Sequence, residues 1–458
     1  MATSVGGREL WSSRWGFLLA SVGFAVGLGN IWRFPFVTGE NGGGAFLLIY
    51  LVCALLISLP LLISEFAIGR MGRASSTGSY RNVARRGGIS TRWGAAGTLA
   101  AFCVFTILSY YTVITGWTFD YFIRATMDQF KGLDPVASGN MFSGLTGNPG
   151  KLLFWNTLAY LLIAVIIRQG VQKGVERAAT VLMPAMFIAL ATMVVYAALE
   201  GDMPATFRFL LEPDFSKVGF STIMAAVGQA FYSIGIGLAG MIVFGSYLPE
   251  GVSIPRFGLL IILIDTAVAL LAGFMIFPIV FAFGMEPSAG PGLLFQSLPL
   301  AFGQMPGGHF FGSIFFLLLI VAALSSCIGL AESCVAWVDE HWNIPRKKGV
   351  LWVCGLGWSV GVLTIMSFSD WSEFYPLDFI PVFEGMNIFS TLDFLAANIF
   401  LLLGGLMTSV FIGWRLPKAI SLEAMGISDG PFFTFIKVML RFVVPAVLLV
   451  ALVMGLIG

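Results

Sequence analysis

The chain has 458 residues, 58% hydrophobic and only 11% charged, with a mean hydropathy of +0.91. A soluble protein would carry about 25% charged residues, so a soluble enzyme or binding domain is excluded and an all-α polytopic membrane protein is indicated. The net charge of +1 says nothing of a partner, and no nucleic-acid surface is expected.

The placement of charge sets the organisation. No charge falls between Glu40 and Glu65, between Arg177 and Glu200, or between Lys217 and Glu250, and each gap reaches the roughly 20 residues a spanning helix needs. Charge gaps and apolar runs place eleven spans near residues 14–37, 43–69, 93–123, 152–168, 177–199, 219–246, 256–282, 309–338, 350–368, 377–413 and 432–457. Residues 1–13 form a segment ahead of the first span. No small-residue cleavage site follows a short apolar core, so the first helix is expected to be retained and not removed as a signal peptide.

The first span contains Gly23-Phe24-Ala25-Val26-Gly27-Leu28-Gly29-Asn30-Ile31-Trp32-Arg33-Phe34-Pro35. Three glycines and an asparagine there predict a break in the helix. Each backbone group left unpaired in hydrocarbon costs several kcal/mol, so irregular backbone at that depth is tolerated only where it lines a cavity or holds an ion. In the second span, Glu65 is an intramembrane acid placed to accept a hydrogen bond from other interrupted backbone.

The next loop carries Arg70, Arg73, Arg81, Arg85, Arg86 and Arg92 without one acid. Around Arg81, Val83 and the Arg85-Arg86 pair it reads as a solvated basic loop, with a short interfacial helix as the alternative. Counting alternate loops, seventeen basic residues fall on one side and five on the other. The positive-inside rule then puts the N-terminus in the cytoplasm, and an odd number of spans puts the C-terminus outside. The outward loops 132–150 and 285–307 are polar and rich in Gly and Pro. There is no Asn-x-Ser/Thr sequon.

At the fifth span, Gly174 and Pro184 frame a segment weakened by the donor that proline lacks; a plain kink is an equal reading. The sixth span holds Gln229-Ala230-Phe231-Tyr232-Ser233-Ile234-Gly235-Ile236-Gly237-Leu238-Ala239-Gly240, a second glycine-interrupted span five helices after the first. Five is odd, so two such halves run oppositely through the membrane: a 5+5 inverted repeat with helices 1 and 6 broken, the plan of many secondary transporters. The boundaries are 14–199 for the first repeat, 200–413 for the second and 414–458 for helix 11. In the seventh span Asp265 follows six aliphatic residues and lies deep in the bilayer, where acids are rare and usually functional; a protonated acid that only packs is the alternative. The five cysteines, Cys53, Cys103, Cys327, Cys334 and Cys354, sit in apolar runs without metal-ligand spacing, and His309 and His341 are the only histidines. They read as core residues. No nucleophile–base pair stands out, so an enzyme is not expected.

Gly27-Leu28-Gly29-Asn30-Ile31-Trp32-Arg33-Phe34-Pro35 followed by Glu40-Asn41-Gly42-Gly43-Gly44-Ala45-Phe46 closely resembles the first helix of the neurotransmitter:sodium symporters. The sixth-span segment, Ala322-Ala323-Leu324-Ser325-Ser326 in the eighth span, and Tyr110-Tyr111 with Trp117 in the third resemble the same family, over the chain from about Arg8 to its end. The family commonly has one helix more, and eleven suits its bacterial hydrophobic amino-acid transporters.

This resemblance implies sodium-coupled symport of a small L-amino acid by alternating access in a prokaryotic plasma membrane, with Na+ as the coupling ion and the bilayer as the only other partner; no oligomer is required. An amino-acid sensor or an ion channel on the same fold is the alternative. It also implies ligand sets. Sodium is a hard cation that takes oxygen ligands. The Ala25 backbone with Asn30, Ser233 and Asp265 would hold a first ion, completed by the substrate carboxylate. Carbonyls of Gly23, Val26 and Ala322 with the hydroxyls of Ser325 and Ser326 would hold a second. Taken alone, a Ser-Ser pair in a helix more often bonds its preceding turn. Many animal relatives need chloride near the first ion; an acid at position 265 implies chloride independence.

Where monoamine transporters carry an aspartate, Gly27 leaves room for a substrate carboxylate beside Leu28 and Gly29, with Tyr111 donating to it. Carbonyls near Phe24 and Tyr232 would take the ammonium, and Ile107, Tyr232, Gly235, Leu238, Cys327 and Leu330 would surround a neutral, hydrophobic side chain. Arg33 and Asp393 should pair above the substrate, with Gln229 nearby and Tyr111 and Tyr232 as a lid; Asp393 as a helix-capping or interfacial residue is the alternative. On the inner side Arg8 and Trp11 resemble a gate closing on Asp339 or Glu340 at the end of the eighth helix.

Overall fold

The computed structural model describes residues 4–5, 8–249, 251–285 and 292–457. Among them, ten helices are long and apolar enough to cross a membrane, and one bent pair makes an eleventh span. The pair is Arg14–Ala25 with Gly29–Glu40, at 51° to each other; the others are Gly44–Gly72, Thr91–Thr126, Pro149–Ile167, Val171–Glu200, Phe220–Ser246, Ile254–Ala282, Gly308–Trp342, Arg346–Met366, Ile388–Arg415 and Pro431–Ile457. The expected eleven spans are all present. Large apolar side chains such as Phe102, Ile188 and Leu199 face outward, as lipid contact requires, while the polar residues Asn30, Glu65, Asp265 and Glu332 are wholly buried.

Both interruptions are real breaks. The first helix starts where Ser13 accepts a hydrogen bond from Gly16 N (2.9 Å) and ends at Ala25. The freed N–H of Gly27 donates to Asn30 Oδ1 (3.1 Å) and that of Leu28 to the Tyr111 hydroxyl (2.9 Å). In the sixth span the helix Phe220–Ile234 gives way to Ala239–Ser246 through Gly235 and Gly237, with φ of +69° and +84°. At Gly237 a Cβ would lie 2.3 Å from the Leu401 carbonyl oxygen, so the tenth span approaches too closely for any side chain. The Gly237 N–H donates to Glu65 Oε1 (2.8 Å), the role expected of that acid. The breaks touch: Gln229 Nε2 donates to Gly29 O (3.2 Å).

Three expectations need correction. Residues 76–86 are a helix, Ser76–Arg86, capped by Ser75, and not a solvated loop. It buries Tyr80, Val83 and Ala84 while Arg81, Arg85 and Arg86 face out; its apolar face is small enough to be hidden among the arginines. The tenth span begins at Ile388, not near 377. Pro381, Glu384 and Gly385, the last with φ of +70°, hold residues 367–387 outside it. The outward loops contain helices, Pro135–Thr146 and Leu293–Phe302, although part of 285–307 lies outside the described residues. The fifth span stays helical through Pro184, with a wide turn at Val171–Glu176. The eleventh span is little buried; its Lys437 and Arg441 donate to the terminal carbonyls of the tenth, Ile412 and Gly413, a favourable pairing for cations at a helix C-terminus.

Candidate functional site

Two clusters of oxygen flank the first break. In one, Asn30 Nδ2 donates to Ser233 Oγ (2.8 Å) and Asp265 Oδ1 (2.8 Å), and Ser233 Oγ donates to Asp265 Oδ2 (2.7 Å). Asn30, Ser233 and Asp265 thus come together from the first, sixth and seventh spans, all buried. Ala25 ends the helix beside them and lines the central cavity. A cation here would turn the Asn30 amide so that its oxygen joins those of Ser233 and Asp265.

In the other cluster, Ser326 Oγ lies 3.5, 3.4 and 3.4 Å from the carbonyl oxygens of Gly23, Phe24 and Val26. One hydroxyl proton serves one acceptor at a time, so carbonyl lone pairs released by the break converge unsatisfied. Ser325 stands beside them, since a Cβ on Gly23 would lie 3.4 Å from its own. Its hydroxyl donates to Ala322 O (2.8 Å), the local bond a helical serine ordinarily makes.

Between the clusters lies a cavity of about 50 Å³. Ten of the expected substrate positions line it: Phe24, Ala25, Gly27, Gly29, Ile107, Tyr111, Tyr232, Gly235, Leu238 and Leu330. Three do not. Leu28 faces a second cavity, Ser233 is engaged with Asp265, and Cys327 Sγ points at Thr115 Oγ1 (3.6 Å) in the wall behind. Two residues not expected as lining, Ser326 and Leu401, complete the wall. Leu401 gave no signal within the aliphatic run Leu401-Leu402-Leu403; only the close approach at Gly237 brings it in. At Gly27 a Cβ would stand 2.5 Å from Ser326 Oγ and 2.8 Å from the Tyr111 hydroxyl, so a side chain there would displace these hydroxyls.

Above, a cavity of about 220 Å³ is lined by Leu28, Trp32, Arg33, Tyr110, Phe389 and Asp393 among others. Tyr111 and Tyr232 border both cavities, as a lid would. The expected Arg33–Asp393 ion pair is not formed. Arg33 lies over the Tyr232 ring, 4.5 Å from its centroid, and 3.4 Å from Gln229 Oε1, while Asp393 accepts from the Tyr110 hydroxyl (2.9 Å). A cation–π contact engages one charge and a buried phenol the other, both at the wall of the upper cavity.

The N-terminal end of the bundle is sealed. Trp11 is buried; its indole donates to Phe244 O (3.0 Å) and its backbone N–H to Tyr247 O (2.9 Å). The side chain of Arg8 lies outside the described residues. Asp339 is exposed, and Glu340 accepts from Ser75 N at the start of the helix Ser76–Arg86. A further acid of the same helix, Glu332, takes Arg346 and the Tyr247 hydroxyl (2.8 Å), while Arg346 also reaches Ile167 O (2.8 Å). Glu332 was missed in the sequence although it follows the apolar run Cys327-Ile328-Gly329-Leu330-Ala331 within a long span, a signal like the one that singles out Asp265. Glu9 and Glu176 were missed too: Glu9 accepts from Val171 N and Gln172 N, and Glu176 from Ser12 N. Both tie the N-terminal segment to the fifth span.

Residues 8–131 and 140–458 match the profile of the Sodium:neurotransmitter symporter family. The sodium-dependent transporter YhdH of Bacillus subtilis is 35% identical over 446 residues, 96% of either chain. A sodium-dependent transporter of Haemophilus influenzae is 33% identical over the full length of both. The structure superposes on that of MhsT in complex with L-phenylalanine with a TM-score of 0.89 and 37% identity, covering 98% of this chain and all of that one. With two broken helices meeting at mid-span and a matching profile over nearly its whole length, this chain belongs to the sodium:neurotransmitter symporter family and is a multi-pass, sodium-coupled membrane transporter of a small molecule.

Proposed function

We propose that the protein imports a neutral, hydrophobic L-amino acid together with two sodium ions and without chloride. The observation that carries this reading is the pairing of two oxygen clusters with a cavity whose walls offer no charge to a substrate side chain. The glycine at position 27, with the Ser326 and Tyr111 hydroxyls close about it, leaves the space beside the broken helix to a substrate carboxylate, to which the Tyr111 hydroxyl, itself accepting from Leu28 N, can donate. MhsT, of the same fold, has been solved with L-phenylalanine. Apolar walls discriminate by only about 1–3 kcal/mol per methylene, so several hydrophobic substrates should compete.

The cycle follows from the two ends. Substrate and sodium enter from the upper cavity, Tyr111 and Tyr232 close over them, and Arg33 meets Asp393. Release then requires Trp11 to leave Phe244 and Tyr247 and the Glu332–Arg346 pair to part. The first repeat (14–199) and the second (200–413) move against each other in this exchange. The seventeen-to-five distribution of basic residues supports a cytoplasmic N-terminus, an external C-terminus and a plasma-membrane location.

The test is uptake into proteoliposomes under an imposed sodium gradient, scanned across the proteinogenic amino acids. Saturable, sodium-dependent accumulation of Leu, Ile, Phe, Tyr or Trp is expected. Uptake confined to charged or amine-only solutes would overturn the substrate class.

A further inference from the structure

We propose that the groove between the third, eighth and ninth spans binds one anionic phospholipid, with an acyl chain in the groove and the headgroup at Lys347 and Lys348. Nothing in the transport reading uses this face. The groove holds a cavity of about 260 Å³, lined by Thr98, Phe102, Phe105, Trp337, Trp342 and Trp352 among others. It opens toward lipid, since Phe102, Trp342 and Trp352 are each more than half exposed. Its inner wall is held in place: Trp337 donates to Thr77 Oγ1 (2.9 Å), which also bonds Thr98 Oγ1 (2.9 Å).

The groove has two chemically different ends. Trp352 and Leu356 also line a second depression, which runs past Gly355 to Lys348. Lys348, Trp352 and Leu356 follow one another at intervals of four along one helix face. From Lys348 to Leu356 the rise is about 12 Å, enough to take a glycerol backbone and the first half of an acyl chain. Gly355 faces open space in this depression, because an added Cβ there would meet nothing within 4 Å. Lys347 and Lys348 are exposed, and neither forms a salt bridge among the described residues. Arg346 beside them is committed to Glu332, and Asp339 and Glu340 line neither cavity. An elongated apolar slot ending on the Lys348 ammonium, with the exposed Lys347 next to it in the chain, fits an amphiphile with an anionic head.

The test uses the full chain in nanodiscs carrying phosphatidylglycerol or phosphatidylcholine with a photoactivatable acyl chain, the adducts being mapped by mass spectrometry. Adducts are expected on the peptides bearing Phe102 and Trp352, enriched about thirtyfold for phosphatidylglycerol, which corresponds to about 2 kcal/mol from two lysines at the membrane surface. The Lys347→Gln/Lys348→Gln variant should label equally with both lipids. Gly355→Phe, which has room in the protein, should lose these adducts with both lipids. Equal labelling of the unaltered protein by the two lipids, adducts spread over all lipid-facing helices, or a lysine variant that keeps the preference would each overturn the proposal.

Discussion

Asp265→Asn removes one negative charge from a fully buried polar cluster and changes its shape little. The carboxylate accepts from Ser233 Oγ at 2.7 Å and Asn30 Nδ2 at 2.8 Å, so a cation held by these groups lies within about 4 Å of it. At an effective dielectric constant of 20, two unit charges about 4 Å apart interact by about 4 kcal/mol. That bounds the loss of sodium affinity at about a thousandfold, and we expect at least about tenfold. The measurement is sodium-dependent uptake of a hydrophobic amino acid in chloride and in gluconate. The unaltered protein should transport equally in both, because Asp265 already balances one of the two cations; the variant should need far more sodium and recover in part with chloride. Strict chloride dependence of the unaltered protein, or a variant with normal sodium affinity in gluconate, would refute the charge-balance argument.

The accumulation ratio reads stoichiometry directly. A tenfold sodium gradient gives about 1.4 kcal/mol per ion and about 100 mV adds roughly 2.3 kcal/mol per charge, so two ions permit about 10⁵-fold accumulation of a zwitterion and one ion only a few hundredfold; a plateau at the lower figure would remove the second ion. Gly27→Asp places its Cβ 2.5 Å from Ser326 Oγ and 2.8 Å from the Tyr111 hydroxyl, and should abolish uptake of carboxylate-bearing substrates while the protein remains monodisperse. Glu332→Gln leaves Arg346 without its buried partner, a loss of about 3–5 kcal/mol in comparable pairs; thermal unfolding should fall, and cysteines placed at the N-terminal end should label faster. Tyr111→Phe deprives Leu28 N of its acceptor and the substrate of a donor, so half-saturation should rise by about tenfold, the effect of about 1.5 kcal/mol for one hydrogen bond.

Sequence alone determined the architecture, because a bilayer enforces two rules that leave marks in a linear string. Charge-free stretches of sufficient length must be spans, and glycine with polar residues inside one must line a cavity; hence the eleven spans, both breaks and the buried meeting of Asn30 with Asp265 were legible. What it did not decide was partnership. Ser325 and Ser326 are equivalent in the string, yet one turns to Ala322 and the other to the broken helix, a difference set by where the first span crosses the eighth. Arg33 and Asp393 carry complementary charge, yet Tyr232 and Tyr110 hold them apart. Asp339, Glu340 and Glu332 share one helix, and only the packing shows that Glu332 is buried and paired with Arg346 and Tyr247. Periodicity and charge act along the chain and can be read there; these choices depend on distances between spans far apart in sequence, which only the packed bundle fixes.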